Sequence, residues 1–242
     1  MLPLPVRYFP FGSSSILVEW EPILDPELNT AIHALAKRWG ARTDVEETIP
    51  AYSSLLIIFS KNIKHPIHKV DELKDDLNTV NEVPRDVFKR RKISLPVCYE
   101  DRFALDIEAY KSKGMDTEEI IIAHSSTLYH VYMLGFLPGF PYMGIVPDKL
   151  AMPRKVQPRE KIPRGSVGVA NKLTGIYPQE SPGGWNIIGR CPLSLFEISY
   201  DNPSFIQAGD SIQFYPISED EYFQIKQDVH QNRYDISQHI LA

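Results

Sequence analysis

Apolar and polar residues alternate in two short segments near the start of the chain, residues 6–10 and 14–20, and Gly12 lies between them. Alternation with a period of two is typical of half-buried strands, and a glycine supplies the turn that joins them. These segments therefore predict a hairpin or two short strands.

A helical pattern follows this hairpin. Asp25 is suited to the N-cap, Pro26 to the first helical position and Gly40 to the end of the helix. The apolar positions between them recur at helical spacing, namely Ile32, Leu35, Ala36 and Trp39. The pattern predicts an amphipathic helix that packs one face against a sheet.

Two further strand-like segments, residues 45–49 and 54–59, precede a second helical pattern at about residues 66–80. Strands and helices mixed in this order over the first ninety residues are typical of two packed layers. We therefore predict an α+β protein that begins with a small N-terminal α/β sandwich.

The composition changes near Pro84, where the basic segment 85–92 precedes a new strand-like run. Residues 1–92 carry 13 basic and 13 acidic side chains, so the remaining 13 and 18 place the whole net charge of -5 in the second part. We predict two domains, 1–88 and 89–242. The basic segment is interpreted as a solvated linker, with phosphate binding as the alternative.

The second part begins with two short helical patterns, residues 103–112 and 116–125, and Asp116 is suited to the N-cap of the second. From residue 127 onward, short alternating runs separated by Gly and Pro continue to residue 217, and a final helical pattern follows. This order predicts a β-barrel or β-sandwich preceded by a helical pair.

Charge and hydropathy exclude some classes of function. The 242 residues carry a net charge of -5, so no global basic field favours nucleic acid as a partner. No apolar run reaches the roughly 20 residues that a membrane span requires, and the first residues lack a basic segment followed by an apolar one. We expect a cytoplasmic protein that binds no membrane.

Signatures for nucleotide binding, nucleophilic catalysis and metal binding are missing from the sequence. It has no P-loop, no GxGxxG, no GxSxG and no HExxH. Cys98 and Cys191 are isolated, so they predict buried thiols more than a disulfide or a metal site. His65 and His68 have a spacing that could bind a metal but no third ligand nearby, so we expect no metal and no organic cofactor.

Glycine and proline are concentrated between residues 135 and 185, which hold eight of the 13 glycines and eight of the 20 prolines. Several aromatic residues are interleaved with these turns, namely Phe136, Phe140, Tyr142, Tyr177 and Trp185. Rigid turns that carry aromatic rings beside polar groups are typical of a small-molecule cleft. The alternative is that these aromatic side chains fill the core of a β domain.

Two further features could supply polar groups to this cleft. His124 ends the second predicted helix just before the cluster, where it could act as a general acid or base or could cap the helix. A basic strip, residues 154–164, contains five cations and is kept extended by prolines: Arg154, Lys155, Arg159, Lys161 and Arg164. We expect its arginines, Arg154, Arg159 and Arg164, to form an anion-binding or partner-binding edge, the alternative being a solvated loop.

The motifs FLPGFPYMG, GSVGVA, TGIYP and SPGGWNIIGR occur in this order. With them, the chain resembles the family that contains the B subunit of 5-oxoprolinase, KipI and allophanate hydrolase subunit 1. The resemblance implies a cyclophilin-like β-barrel for the second domain. Asn171, Lys172 and Leu173 depart from the pattern of many relatives, which carry a Gly-Gly pair and a glutamine there.

The resemblance also implies a function: one subunit of an ATP-dependent 5-oxoprolinase, which opens 5-oxo-L-proline to L-glutamate. The expected partners are the KipA-like barrel protein that forms the C subunit and the LamB/YcsF-like protein that forms the A subunit. ATP is then a co-substrate of the assembled complex, and this chain alone is expected to be inactive. The alternative is a KipI-like inhibitor that binds a sensor histidine kinase.

For the enzyme function, we predict that His124, Lys172 or Arg190 polarises the substrate or balances developing charge. The cyclic amide is expected to bind in the cleft of the Gly- and Pro-rich region. The predicted substrate-binding residues are Phe140, Tyr142, Thr174, Tyr177, Ser181, Gly183, Gly184 and Trp185.

Overall fold

The computed structural model describes residues 7–78, 91–199 and 202–241, with the side chain of Asn78 left out. The chain divides into two compact units, Met1–Lys89 and Arg90–Ala242. The predicted boundary at residues 88 and 89, and most of the basic segment 85–92, lie outside the described residues. Each unit has its own core and is described separately.

The first unit contains a four-stranded antiparallel sheet and two helices. The strands are β1 (Arg7–Phe11), β2 (Ser15–Glu19), β3 (Val45–Pro50) and β4 (Ser54–Phe59), and the helices are α1 (Pro26–Gly40) and α2 (Pro66–Asn78). The strand order in the sheet is β1-β2-β4-β3. The predicted hairpin, strands and helices are confirmed, although residues 79 and 80 of the second helical pattern lie outside the described ranges.

Alternation decides which face of this sheet is buried. On β2 and β4 every second side chain is buried, and these side chains share one core with apolar residues of both helices. Asp25 caps α1, because its carboxylate accepts hydrogen bonds from the backbone N–H groups of Glu27 (2.7 Å) and Leu28 (3.4 Å). The helices and strands therefore form the mixed α/β arrangement that the sequence predicted.

The second unit contains ten strands, three α-helices and two 3-10 helices within the described residues. The strands are β5 (Lys92–Val97), β6 (Leu128–Leu134), β7 (Pro141–Gly144), β8 (Arg159–Ile162), β9 (Ser166–Ala170), β10 (Leu173–Ile176), β11 (Ser181–Gly183), β12 (Asn186–Arg190), β13 (Ser211–Pro216) and β14 (Ile240–Leu241). The α-helices are α3 (Ile107–Lys111), α4 (Thr117–Ser125) and α5 (Glu219–His230), and the 3-10 helices are Asp148–Leu150 and Ile236–His239.

Eight of these strands form one sheet in the order β12-β9-β10-β7-β6-β13-β5-β14, and β8 pairs with β11 in a separate ribbon. The β5–β13 pair is parallel and the other pairs of the large sheet are antiparallel. An isolated antiparallel β-bridge pairs the backbone of Cys98, just after β5, with that of Arg190 on β12. It brings the edge strand β12 close to the opposite end of the sheet. Gly189 permits this approach, because a Cβ there would lie 2.8 Å from the carbonyl oxygen of Cys98.

No continuous ladder of the described strands closes this sheet into a barrel. The prediction of a β-rich second domain with mixed helices is confirmed, while a cyclophilin-like barrel remains an expectation. Its large core includes the inward side chains of β5, β6, β9 and β13 together with apolar residues of α3 and α4.

The helices of the second unit show where local signals decide the boundaries. At α4 the carboxylate of Asp116 accepts from the backbone N–H of Glu119, and the Glu119 side chain accepts from the N–H of Asp116, which is a capping box. The predicted helix over 103–112 is shorter than expected, since α3 begins at Ile107 and a separate turn precedes it, in which the backbone N–H groups of Phe103 and Ala104 bond to the carbonyl oxygen of Glu100. In the parts of the chain that the structure describes, no helix has both the length and the apolar character to cross a membrane.

Candidate functional site

A pocket of about 240 Å³ lies in the Gly- and Pro-rich region of the second unit. Its walls combine aromatic and aliphatic side chains with one amide and one guanidinium: Phe136, Tyr142, Arg154, Ala170, Asn171, Leu173, Tyr177, Gly183 and Trp185. Four of the predicted substrate-binding residues and one residue of the basic strip belong to this set. The structure therefore supports a cleft in this region.

The tight hairpin between β9 and β10 forms one wall of the pocket. Ala170 pairs with Leu173, so Asn171 and Lys172 make a two-residue turn, and Asn171 has a left-handed backbone with φ of 52°. Asparagine tolerates this conformation better than most residues other than glycine. The backbone N–H of Asn171 donates to the carbonyl oxygen of Met152 at 2.6 Å, which fixes the turn to the next segment.

An aromatic cluster forms the opposite wall. Phe140 is fully buried behind the pocket and packs against Tyr142, Tyr177 and Trp185 with ring centroids 5.0–5.3 Å apart. Burial raises the pKa of Tyr177 to about 12, and burial also raises the pKa of Tyr142. Both phenols are therefore neutral at physiological pH and can exchange hydrogen bonds with a ligand.

Close packing explains the glycines of this region. A Cβ at Gly183 would lie 2.3 Å from the phenol oxygen of Tyr177, so a side chain there would displace the aromatic wall. A Cβ at Gly184 would lie 3.8 Å from Nε of Arg154, and the carbonyl oxygen of Gly184 accepts a hydrogen bond from the backbone N–H of Lys155 at 2.8 Å. Close packing therefore requires glycine at position 183, whereas a Cβ at Gly184 would make an ordinary contact with the basic strip.

The cations of the basic strip have different environments. Lys155 and Arg159 bind the carboxylate of Asp106, Arg164 donates to the Ser194 hydroxyl, and Lys161 lies 3.9 Å from a carboxylate oxygen of Glu180.

Among the described residues, Arg154 is the cation that lines the pocket. The predicted edge of Arg154, Arg159 and Arg164 is thus not one continuous surface, because Arg159 is bound to a buried carboxylate.

His124 lies in the core and does not line the pocket. Its Nδ1 is 2.7 Å from the Tyr99 hydroxyl and its Nε2 is 3.0 Å from the Thr174 hydroxyl, which donates to the carbonyl oxygen of Gly168. Since the Thr174 proton is used there, Nε2–H donates to Thr174 and Nδ1 accepts from Tyr99. Burial lowers the pKa of His124 to about 3, so the ring is neutral.

The other two predicted catalytic residues lie apart from His124 and from each other. Lys172 is exposed on the β9–β10 turn, with its ammonium 3.3 Å from a carboxylate oxygen of Asp148. Arg190 packs its guanidinium 5.1 Å from the ring centroid of Phe103. The structure does not bring His124, Lys172 and Arg190 together, because the end of α4, the β9–β10 turn and β12 present them to the core, the solvent and a separate aromatic cluster.

Thr174 and Ser181, two predicted substrate-binding residues, also do not line the pocket. Thr174 is fully buried and faces His124, since side chains alternate along β10 and the neighbouring Leu173 faces the pocket. The Ser181 side chain is buried as well, and its hydroxyl lies 3.2 Å from the carbonyl oxygen of Pro182. Of the predicted set, Tyr142, Tyr177, Gly183 and Trp185 line the pocket.

Sequence reasoning missed two residues that shape the site. Asp106 is buried and joins two pocket segments, but a single aspartate before a short helix carries no signal of its own. Asn171 lines the pocket, and its position in a two-residue turn between β-rich segments is a signal that could have been used.

The thiols and histidines outside the pocket offer no metal site in the described ranges. Cys98 and Cys191 are both buried, as predicted, and burial raises the pKa of Cys191 to about 12. The rings of His65 and His68 have centroids 5.5 Å apart, and no group of three or more His, Cys, Asp or Glu residues in the described chain could hold a metal ion.

The fold and the pocket together define a class of protein, namely a two-unit mixed α/β protein whose second unit carries a pocket lined by aromatic rings and one guanidinium. The family model for the carboxyltransferase domain, subdomain C and D, matches residues 6–206. The chain belongs to this family, which includes relatives named as the B subunit of 5-oxoprolinase.

Three curated relatives are named as this B subunit. The protein of Bacillus subtilis is 35% identical over 230 residues, which cover 90% of this chain and 95% of that protein. The proteins of Escherichia coli O157:H7 and Haemophilus influenzae are each 32% identical, with 97% and 95% of their lengths covered. The resemblance inferred from the motifs is thereby confirmed.

Solved structures show a related fold. The crystal structure of TTHA0988 matches with a TM-score of 0.70 and 28% identity over 84% of this chain, which spans 40% of that longer chain. PH0987 from Pyrococcus horikoshii is 38% identical with a TM-score of 0.53, and all of its chain is covered. The Kluyveromyces lactis urea carboxylase, at 19% identity and a TM-score of 0.66, shares the fold over 23% of its length.

Proposed function

We propose that this chain is the B subunit of an ATP-dependent 5-oxoprolinase, which opens 5-oxo-L-proline to L-glutamate. The observation that carries this proposal is the match to three proteins that bear the name of this subunit, each covered over at least 95% of its length. These relatives do not favour the alternative of a kinase inhibitor.

The pocket is proposed to hold the substrate. The five-membered ring lies between the aromatic side chains of Tyr142, Tyr177 and Trp185, and its single carboxylate binds the Arg154 guanidinium. Arginine suits this role because its planar donors match a carboxylate in a bidentate pair. The phenols and the Asn171 amide face the lactam group, which has one donor and one acceptor.

The reaction requires more than this pocket. The amide oxygen takes the γ-phosphoryl group of ATP, and ADP leaves. One water then opens the ring to the acyl phosphate of glutamate, and a second water hydrolyses this to L-glutamate and phosphate. We assign ATP to the assembled complex. A KipA-like barrel protein as the C subunit and a LamB/YcsF-like protein as the A subunit complete the site in the cytoplasm. The second unit of this chain is the cyclophilin-like counterpart of the C subunit.

The relatives with longer chains support a function in assembly. In TTHA0988 the matching region is 40% of the chain, and in the urea amidolyase of Lachancea kluyveri it is 11%. A region similar to this chain thus occurs both as a separate protein and as part of a longer polypeptide. We propose that Lys172, on the exposed turn beside Asn171, stays paired with Asp148 and adds no cation to the pocket, whereas His124 and Arg190 stabilise the second unit.

The first test is substrate binding by the purified chain. Isothermal titration with 5-oxo-L-proline should give binding that Arg154→Gln weakens by about tenfold or more, because a charge-assisted hydrogen bond is lost. Lys161→Gln is the matched control, since this cation belongs to the same basic strip and is mostly exposed. Equal affinity of both variants would contradict the role of Arg154.

The second test is activity of the assembly. A coupled assay of ADP and glutamate is made with the chain alone and with both partner proteins co-expressed. We expect turnover with the full set and none with the chain alone. Turnover by the single chain would overturn the division of the site among the proteins of the complex, and no turnover by the full set would overturn the enzyme function.

A further inference from the structure

Asp106 is a buried carboxylate at the start of α3 that lies outside the pocket wall. It is 5% exposed, and its two oxygens accept four hydrogen bonds. Oδ1 accepts from Lys155 Nζ at 2.6 Å and Arg159 Nη2 at 2.8 Å, and Oδ2 accepts from Arg159 Nη1 at 2.7 Å and the backbone N–H of Ile187 at 2.7 Å. The carboxylate is therefore fully used within the protein.

These bonds join the two segments that shape the pocket. The first, which we name the strap, is residues 152–159 and carries Arg154. The second precedes and begins β12, where Trp185 lines the pocket two residues before Ile187. The backbone N–H of Asp106 also donates to the carbonyl oxygen of Ile187 at 2.9 Å, so Asp106 holds β12 from both directions.

The charge at Asp106 is maintained by its partners. Burial by itself raises the pKa of this carboxyl, but hydrogen bonds from Arg159, Lys155 and the Ile187 amide outweigh burial, and the pKa lies below its ordinary value. The ionised Asp106 therefore forms ion pairs with two of the five cations of the basic strip, Lys155 and Arg159. Arg154, next to Lys155 in sequence, is left facing the pocket.

We propose that Asp106 is the positioning and selectivity residue of the pocket. It holds the strap in place so that the Arg154 guanidinium can bind a ligand carboxylate. It also pairs with Lys155 and Arg159, so that Arg154 is the one strap cation that lines the pocket. A pocket of this kind selects a small monoanion over a dianion. The identity of the monoanion, 5-oxo-L-proline, rests on the proposed function, while the positioning of the strap does not.

Asp106→Asn removes the negative charge of this side chain while keeping its size and shape. An asparagine has one acceptor oxygen in place of two, and its NH₂ group would face donors, so Lys155 and Arg159 lose their partner. The matched control is Asp210→Asn. Asp210 is similarly buried, binds Arg91 through both oxygens and accepts the Gln207 backbone N–H, but it does not line or hold the pocket.

The experiment measures binding and local exchange in the full chain, at a temperature below the unfolding of every variant. Titrations use 5-oxo-L-proline and the dianion glutarate. For Asp106→Asn we expect 5-oxo-L-proline to bind about tenfold or more weakly, and the preference over glutarate to shrink by a similar factor, because two cations are released. Asp210→Asn should leave both the affinity and the preference unchanged.

Backbone hydrogen exchange supplies a readout that needs no ligand. In Asp106→Asn, the amide of Lys155, bonded to Gly184, and that of Ile187 should exchange faster than in Asp210→Asn. If both variants show the same exchange and the same ligand preference, the inference is wrong. If wild-type chain binds neither ligand, the proposed function of the chain fails, and the exchange of the strap alone decides whether Asp106 positions it.

Discussion

Replacing His124 by glutamine should remove a pH-dependent part of the stability of this protein. The ring is fully buried, and both its nitrogens are hydrogen-bonded to Tyr99 and Thr174. The titratable groups that face it are the phenols of Tyr99 and Tyr129, whose pKa values burial raises. These groups stay neutral between pH 5 and 7.5, so His124 dominates the local response to pH.

The size of this pH-dependent change in unfolding free energy follows from the lowered pKa of His124. The pKa of His124 falls from the ordinary 6.5 to about 3 in the folded protein, so between these values the unfolded state binds more protons. The stabilising contribution is thus complete above pH 6.5 and is lost as the pH falls towards 3. At about 1.4 kcal/mol per pH unit, folding loses about 2 kcal/mol between pH 7.5 and pH 5.

The assay is urea unfolding of wild-type protein and His124→Gln at pH 7.5, 6 and 5. Glutamine can accept from Tyr99 and donate to Thr174, but it does not titrate. The difference in unfolding free energy between the two proteins should narrow by about 2 kcal/mol from pH 7.5 to pH 5. Other shifted groups, such as His239 and Asp106, are present in both proteins and cancel. Parallel profiles would refute the neutral buried histidine and reopen its predicted function as a general acid or base.

Three further results are expected. Trp185→Ala and Tyr177→Ala should each lower the unfolding free energy by roughly 3–5 kcal/mol in urea titrations, because both rings are buried, and losses below about 1 kcal/mol would contradict this packing. Gly165→Ala should lower the melting temperature far more than Gly114→Ala: both glycines have positive φ, but only at Gly165 would the Cβ meet a carbonyl oxygen, at 2.3 Å, so equal losses would refute the steric argument. Limited proteolysis should cut first before residue 93, and a fragment 93–242 that melts without cooperativity would disprove an independent second domain.

Local signals predicted most of the elements. Asp25, Asp116 and Ser218 begin helices because their side chains accept backbone N–H groups within the same turn, an interaction that depends on adjacent residues alone. On β4, by contrast, residues 55–59 are all apolar, so packing against the helices and not the sequence pattern decides which face is buried. The helix over 103–112 was predicted too long, since residues 100–104 form a separate turn and α3 begins at Ile107.

The site was predicted as a region and not as a set of contacts. The segment rich in Gly, Pro and aromatic residues contains a pocket that Tyr142, Tyr177, Gly183 and Trp185 line, but Phe140, Tyr177 and Trp185 also form a buried cluster, and their function as substrate-binding residues stays a prediction. The error lay in the polar residues. The place of His124 before the Gly- and Pro-rich segment made it a candidate for the cleft. In the structure His124 is fully buried at the end of α4, and its ring is hydrogen-bonded to Thr174 on β10.

The sequence by itself determined the helix starts at Asp25 and Asp116, the positions of most strands and the family, because these depend on residues close together in the chain or on ordered motifs. The tertiary structure decided how charge is distributed at the site. Five cations in one strip look equivalent in the sequence, but Asp106, about fifty residues earlier, binds two of them and leaves Arg154 at the pocket. A buried carboxylate needs partners wherever the fold places them, and that placement is set by the packing of α3 and β12 and not by neighbours in the chain.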